Sequence, residues 1–431
     1  GPEFVDLTSV EDPDAQAREL AHLHAREPFD LARGPLVRMS ILKLAEGRHV
    51  LLFNMHHIIA DDWSMGVLVR EVGVLYDVFR RGLRPALRDL RVQYKDYAVW
   101  QNQRLATGQD EPARTFWLSQ FYVPAAVLNL PTDEPRPPVK TYRGRSVTHM
   151  LDAETADGLR AFNREHGASL FMTLITCVNV LLYRYTGEQD ITIGLPTAGR
   201  AHVDLEELIG FFINTLPFRM HVEPESTLLE LVSRASEQVT ACLEQQMYPA
   251  DRLIDELNLR RDMSRSPLYD VTVTLQNVES YELSLPEIVL SPFVDDYDMS
   301  KFDLSFNFQE VGSGLRLDIT YNSDLFLQER VDRITRHFAQ VVKGLLQNST
   351  QRIAEIDILP PAERAQVLGW RNAAVDMSGA PESLTAWFER QASQTPDHTA
   401  LVEAVESAQQ PPLTYRELNE QSNQLARCLI G

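Results

Sequence analysis

The chain has 431 residues, 44% hydrophobic and 24% charged, a globular composition with room for two or three domains. Lys plus Arg number 41 against 61 Asp plus Glu, and the resulting charge of -20 argues against nucleic acid or an anionic membrane as the main partner. No apolar run of about 18 residues marks a membrane span, and Cys177, Cys242 and Cys428 lie far apart, which fits a reducing cytoplasm better than a disulfide framework.

Residues 1–4, Gly-Pro-Glu-Phe, read as a protease and cloning remnant and are set aside. Val5 to Glu27 starts strand-like and continues as an Ala/Arg/Glu/Leu-rich helix. Val37 to Leu44 alternates as a strand, Ala45 to Arg48 turns, and the apolar run His49 to Asn54 predicts a buried strand, so the three form a hairpin. Met55-His56-His57-Ile58-Ile59-Ala60-Asp61-Asp62-Trp63-Ser64 follows it. A helix over 64–81 comes next, with Leu68, Val72, Leu75 and Phe79 as one apolar stripe, Asp62 or Ser64 as its cap and Gly82 as its stop.

Adjacent side chains on an extended backbone face opposite ways, so His56 and His57 cannot both meet one substrate. Asp61 can reach back and hold the loop. These residues alone leave two readings open, structural histidines at a strand end or an acid/base imidazole. A metal site is disfavoured, because no third His or Cys lies at ligand spacing.

Val92 to Trp100 carries an aromatic helix face read as core packing, and helix continues to about Phe121. Leu128 to Pro138 holds four prolines in eleven residues and reads as an extended connection between two lobes. The second lobe then alternates: a strand at 144–150, helices at 153–166 and 169–185, and a strand from Asp190 ending in a Gly/Pro loop at Arg200. A Gly-turned strand at 208–219, a long helix within 224–246, and a strand from Tyr269 to Asn277 follow. A hairpin around Gly312 to Gly314 and a helix at 327–346 close the lobe. Glu355 to Ala380 reads as a linker.

His56-His57-Ile58-Ile59-Ala60-Asp61 with Trp63-Ser64 resembles the His-His-x-x-x-Asp-Gly signature of nonribosomal peptide synthetase condensation domains. Four further stretches, in order, resemble that family's motifs: Tyr94 to Trp100, Leu208 to Arg219, Met247 to Asp251 in part, and Arg261 to Leu268. Ser383 to Gln391 and Leu413 to Asn419 resemble the opening of an adenylation domain. No phosphate-binding loop for ATP appears there.

The resemblance implies an α/β (α+β) fold of the chloramphenicol-acetyltransferase-like kind, two lobes forming a V-shaped pseudo-dimer. It implies an N-terminal lobe at 5–127, whose front elements are expected to lie outside this chain, and a connection at 128–143. A C-terminal lobe at 144–354, a linker at 355–380 and an adenylation fragment at 381–431 follow. The implied reaction is amide formation between a carrier-bound acyl or peptidyl thioester and a carrier-bound aminoacyl acceptor. His57 would stand in the tunnel as base or positioner, with His56 and Asp61 holding the loop. Asp62, Trp63, Asn214, Arg219, Arg265 and Gln276 would line the channel, and Arg219 could pair with Asp61. No metal or intrinsic cofactor is implied, only the phosphopantetheine arms of upstream donor and downstream acceptor carrier proteins. The adjacent adenylation domain is the remaining implied partner.

One position departs from the signature: Asp62 stands where the family has Gly. It resembles the Asp-Asp ending of related recruiting domains, which motivates the alternative of a non-catalytic module that docks a carrier or tailoring enzyme. Those domains usually lack the second His, which is present here. A coenzyme-A-dependent acyltransferase shares the fold, and the attached adenylation start argues against it.

Overall fold

The computed structural model describes residues 1–85, 87–259, 262–276, 283–293, 299–370, 383–402 and 412–430, in two compact units, 1–360 and 361–431. The first unit holds two sheets. β1 (Glu3–Asp6), β2 (Val37–Ala45) and β3 (Arg48–Met55) form a three-stranded sheet in that order. β1 runs parallel to β2 through α1 (Pro13–Arg26), and β2 and β3 are an antiparallel hairpin turning at Gly47. Glu3 and Phe4 belong to β1, paired with Ser40 and Ile41, so residues set aside in the sequence take part in the sheet.

Alternation along these strands divides their side chains between two faces. Leu42, Leu44 and Val50 form a small core with Leu7 and Ala17, on the face covered by α1. Met39, Leu51 and Phe53 point the other way and stay exposed. α2 (Asp62–Arg80) leaves β3 through a 3-10 turn at His57–Ile59. It buries only Ser64, Gly66 and Val67, while Val72 and Phe79 of the expected apolar stripe are exposed. The stripe is a property of the sequence that the described residues do not cover. Gly82 follows the helix in a left-handed conformation.

α3 (Tyr94–Thr107) and α4 (Glu111–Gln120) follow, separated at a left-handed Gly108. The second sheet is β4 (Gly144–Leu151), β5 (Asp190–Thr197), β6 (Asn214–His221), β7 (Val271–Gln276), β8 (Leu304–Val311) and β9 (Gly314–Asn322). Their spatial order is β4-β9-β8-β7-β5-β6, with β5, β7 and β8 parallel and the remaining pairs antiparallel. α5 (Ala153–His166), α6 (Leu170–Thr186), α7 (Leu228–Glu244) and α9 (Gln328–Gln347) pack over it, and α8 (Ala250–Leu257) lies near β6. Among the described residues no single helix is long and apolar enough to cross a membrane.

Two boundaries move. α4, placed by the proline run in the first lobe, buries Ala113 and Trp117 in the core of the second, where the indole N–H donates to Gln245 O at 3.0 Å. At the far end, Ile356 is fully buried in the same core, so the lobe continues past residue 354. The connection itself is clamped to the second lobe. Arg136 pairs with Asp303, and Asp133 with Arg330.

In the second unit, α10 (Pro361–Gly369) and α11 (Leu384–Gln394) precede a two-stranded sheet of β10 (Thr399–Leu401) and β11 (Leu413–Thr414), then α12 (Tyr415–Ile430).

Candidate functional site

β3 delivers the histidines to the edge of the first lobe. The turn that follows separates them, as the alternation argument requires. His56 accepts a hydrogen bond from Ile58 N–H at its Nδ1 (3.0 Å), and its ring meets Phe29 edge-on. His57 turns outward and is exposed. Its Nδ1 lies 2.7 Å from Ala60 O. A carbonyl oxygen only accepts, so Nδ1 carries the proton, and in the neutral ring the Nε2 lone pair is left available. The ring stands edge-on to Phe211 of the second lobe, 5.2 Å between centroids.

Asp61 does not reach back to the histidines. It caps α2, in place of Asp62 or Ser64, and it bonds across to the second lobe. Its Oδ1 accepts from the Ser64 N–H (2.9 Å), the Ser64 hydroxyl (2.6 Å) and Arg200 Nη2 (2.9 Å), and its Oδ2 accepts from Phe212 N–H (3.0 Å). The side chains of Asp61 and Arg200 are 3% and 1% exposed. Burial alone would raise the Asp61 carboxyl. The hydrogen bonds from Ser64 and Phe212 and the charge of Arg200 outweigh it and hold the group below its ordinary range. Arg200 also donates to Leu205 O and Leu208 O and stacks over Phe212, so it organises the 205–212 loop from inside.

That loop is fixed from the first lobe at further points, among them the Ser64 hydroxyl, which lies 2.9 Å from Gly210 O and accepts from Gly210 N–H (3.1 Å). Trp63 Nε1 donates to Glu206 O (2.8 Å), Arg70 pairs with Glu207, and Tyr94 OH donates to Phe211 O (2.8 Å). Tyr94 lies so close to Gly210 that a Cβ there would come 2.2 Å from its ring, which is why glycine stands at that position. Tyr97 and Tyr94 pack on Phe212, so the aromatic face of α3 packs against the 205–212 loop rather than into the core of its own lobe.

Beneath Phe211 lies a cleft of about 490 Å³, walled by α3, Phe211 to Thr215 and Gln246 to Arg252. Asn214 lines it, but its amide is spent on Gln246 O, Tyr248 O and Ala250 N–H. The other expected channel residues disperse. Arg219 is bidentate to Asp190 at 2.6 and 2.7 Å, so the partner of Asp61 is Arg200 and not Arg219. Arg265 pairs with Asp270 beside a separate cavity. Gln276 is exposed at the end of β7, Asp62 is exposed at the start of α2, and Trp63 is a strut between lobes. Asn277 and Arg261 lie outside the described residues. Among the described residues no group of three or more His, Cys, Asp or Glu is placed to hold a metal ion.

Arg200 was missed by sequence reasoning, while Ser64 was placed as a helix cap rather than as a partner of Asp61 and Gly210. Arg200 carries one local signal, its place at the end of the Gly/Pro loop after β5.

A family model described as "Condensation domain" matches residues 3–368. Gramicidin S synthase 2 of Brevibacillus brevis is 37% identical over 405 residues, 94% of this chain and 9% of that protein. Surfactin synthase subunit 1 of Bacillus subtilis (strain 168) is 39% identical over 403 residues, 94% of this chain and 11% of that protein. The chain thus spans only 9% and 11% of the length of these curated relatives. Among solved structures, the X-domain in its complex with OxyB from teicoplanin biosynthesis is similar, with a TM-score of 0.74 at 27% identity, over 84% of this chain and 79% of that one.

Proposed function

The chain belongs to the condensation-domain family, and we propose that it forms an amide bond between a carrier-bound acyl or peptidyl thioester and a carrier-bound aminoacyl acceptor. The observation that carries the reading is the tautomer of His57. His57 Nδ1–H donates to Ala60 O, which leaves the lone pair of the neutral imidazole on Nε2, in an exposed ring beside Phe211. The acceptor amine attacks the donor thioester carbonyl. The C–N bond forms and the C–S bond breaks. The amine proton passes to His57 Nε2 and from there to the departing thiolate, so the imidazole returns to its starting state. Holding two tethered reactants together supplies much of the remaining acceleration.

In this reading the carrier proteins present both substrates on phosphopantetheine arms, the setting is cytoplasmic, and residues 381–431 begin an adenylation domain. A second reading is a docking module that forms no bond. Asp62 and the likeness to an X-domain captured in a complex with OxyB favour it. His57 in a base-competent tautomer favours catalysis.

The test is reconstitution of the full chain with loaded donor and acceptor carriers, scored for the amide product by mass spectrometry. Product above the carrier-only background supports catalysis. Carrier binding without product supports the docking module.

A further inference from the structure

A second cavity, of about 260 Å³, lies next to the cleft beneath Phe211, and Tyr269 lines both. Thr192 and Gly194, two apart on β5, share the sheet face on which both spaces lie. The Tyr269 ring rests on Gly194. A Cβ at that position would come 2.4 Å from Tyr269 Cε2, so the strand gives up a side chain to seat the ring. Phe302 backs it at 5.7 Å between centroids.

The far cavity is apolar along Leu128, Leu257 and Leu268 and reaches solvent at Tyr122, which is 90% exposed. Its charges are neutralised, since Arg265 is held by Asp270 and Leu128 O. One polar group is left over. Thr192 is 3% exposed, lines the cavity, and its Oγ1 has no hydrogen-bond partner among the described residues.

We propose that Tyr269 is a specificity-determining residue, a fixed partition that limits the size of the thioester-borne side chain or acyl terminus the cleft admits. The cavity beyond is the space a larger group enters when the partition is removed, with the Thr192 hydroxyl there to meet a polar tip. This rests on the amide-forming reading, because it takes the cleft walled by Phe211, whose ring meets His57 edge-on, to be where substrate sits.

The experiment measures binding of N-acetylcysteamine thioesters of alanine, phenylalanine and naphthylalanine to the full chain, by titration. Wild type is compared with Tyr269→Phe, Tyr269→Leu and Tyr269→Ala, each first shown to unfold cooperatively. The alanine and leucine variants should shift preference from the small to the bulky thioester by about tenfold, the scale of a reshaped apolar pocket. Tyr269→Phe should keep the wild-type ranking. A wild-type ranking in either folded truncation overturns the proposal. Amide product is scored in parallel. A shifted ranking with no product from wild type supports the partition and overturns the reaction assigned above. Product with an unchanged ranking overturns the partition alone.

Discussion

The two sheets of the first unit are built to different standards. The six-stranded sheet lies in a continuous core that includes Phe218, Phe306, Phe308 and Phe338, all but inaccessible to solvent. The three-stranded sheet buries a handful of side chains on one face and leaves Met39, Leu51 and Phe53 exposed on the other. Yet His57, the proposed base, sits in the turn directly after a strand of the thinner sheet. Its position is therefore held less by the packing of its own lobe than by what Asp61, Trp63, Arg70 and Tyr94 grip on the thicker one. The proposed base and the residues that locate it are separable, and that separation can be attacked from either side.

The largest effect is expected from the reactive side. His57→Ala should lower the rate of amide formation by about 10²–10⁴-fold, the usual contribution of a placed acid/base group. The ring is exposed, so the unfolding midpoint should stay where it is. A variant that keeps its rate would leave the imidazole without a chemical part.

Arg200→Ala attacks the other side. It strands a buried carboxylate and should cost about 3–5 kcal/mol, read as a lower urea midpoint. Arg200→Lys should recover only part of this, because an ammonium cannot serve Asp61 and two carbonyls with one planar fork. The sign of the pH dependence follows from Asp61, whose folded value lies below its ordinary one. The stabilisation is complete above about pH 4, the unfolded carboxyl value, and fades as pH falls through the lower folded value. The gap between wild type and Arg200→Ala should therefore be full at neutral pH and close in strong acid. A gap independent of pH would mean that the arginine acts through packing alone.

The sequence exposed one side of this division and hid the other. The apolar run of β3, the paired histidines and the 3.6-residue rhythm of α2 are local patterns that place the histidines at a strand end before a helix, and the resemblance to the family signature singles out His57 as the proposed base. The grip is not local. Arg200 meets Asp61 across 139 positions, and no spacing announces such a pair. Arg219 looked equally suitable because it ends a motif and has the right charge. On β6, however, it sits opposite Thr192 and diagonal to Asp190, and that nearer carboxylate captures it. The lobe boundary failed for a related reason. Prolines mark where regular structure stops, not which core receives the helix before them, and Trp117 of α4 is buried in the second lobe.

Trp63→Phe sharpens the comparison with a smaller change. It keeps an aromatic ring at the start of α2 and removes the N–H bond to Glu206 O together with part of the ring surface facing Arg200. A single such bond is worth about 0.5–1.5 kcal/mol. The expected result is a midpoint lowered by that amount and a modest loss of rate. A rate loss approaching that of His57→Ala, with a small stability loss, would identify Trp63 as the strut that sets His57 rather than one of several.

Asp62→Gly is the smallest and most discriminating change, because its two effects should differ in sign. Asp62 is the first residue of α2, exposed, with its carboxylate at the positive end of the helix. Losing a charge from that position costs about 0.3–1 kcal/mol, and glycine adds backbone freedom to the unfolded chain. Stability should therefore fall slightly. The rate should be preserved or rise, since glycine restores the residue of the family signature next to Asp61. Parallel falls in stability and rate would show that Asp62 serves the positioning half of the site. A raised rate on a slightly weaker fold would show that it stands in the way of the reactive half.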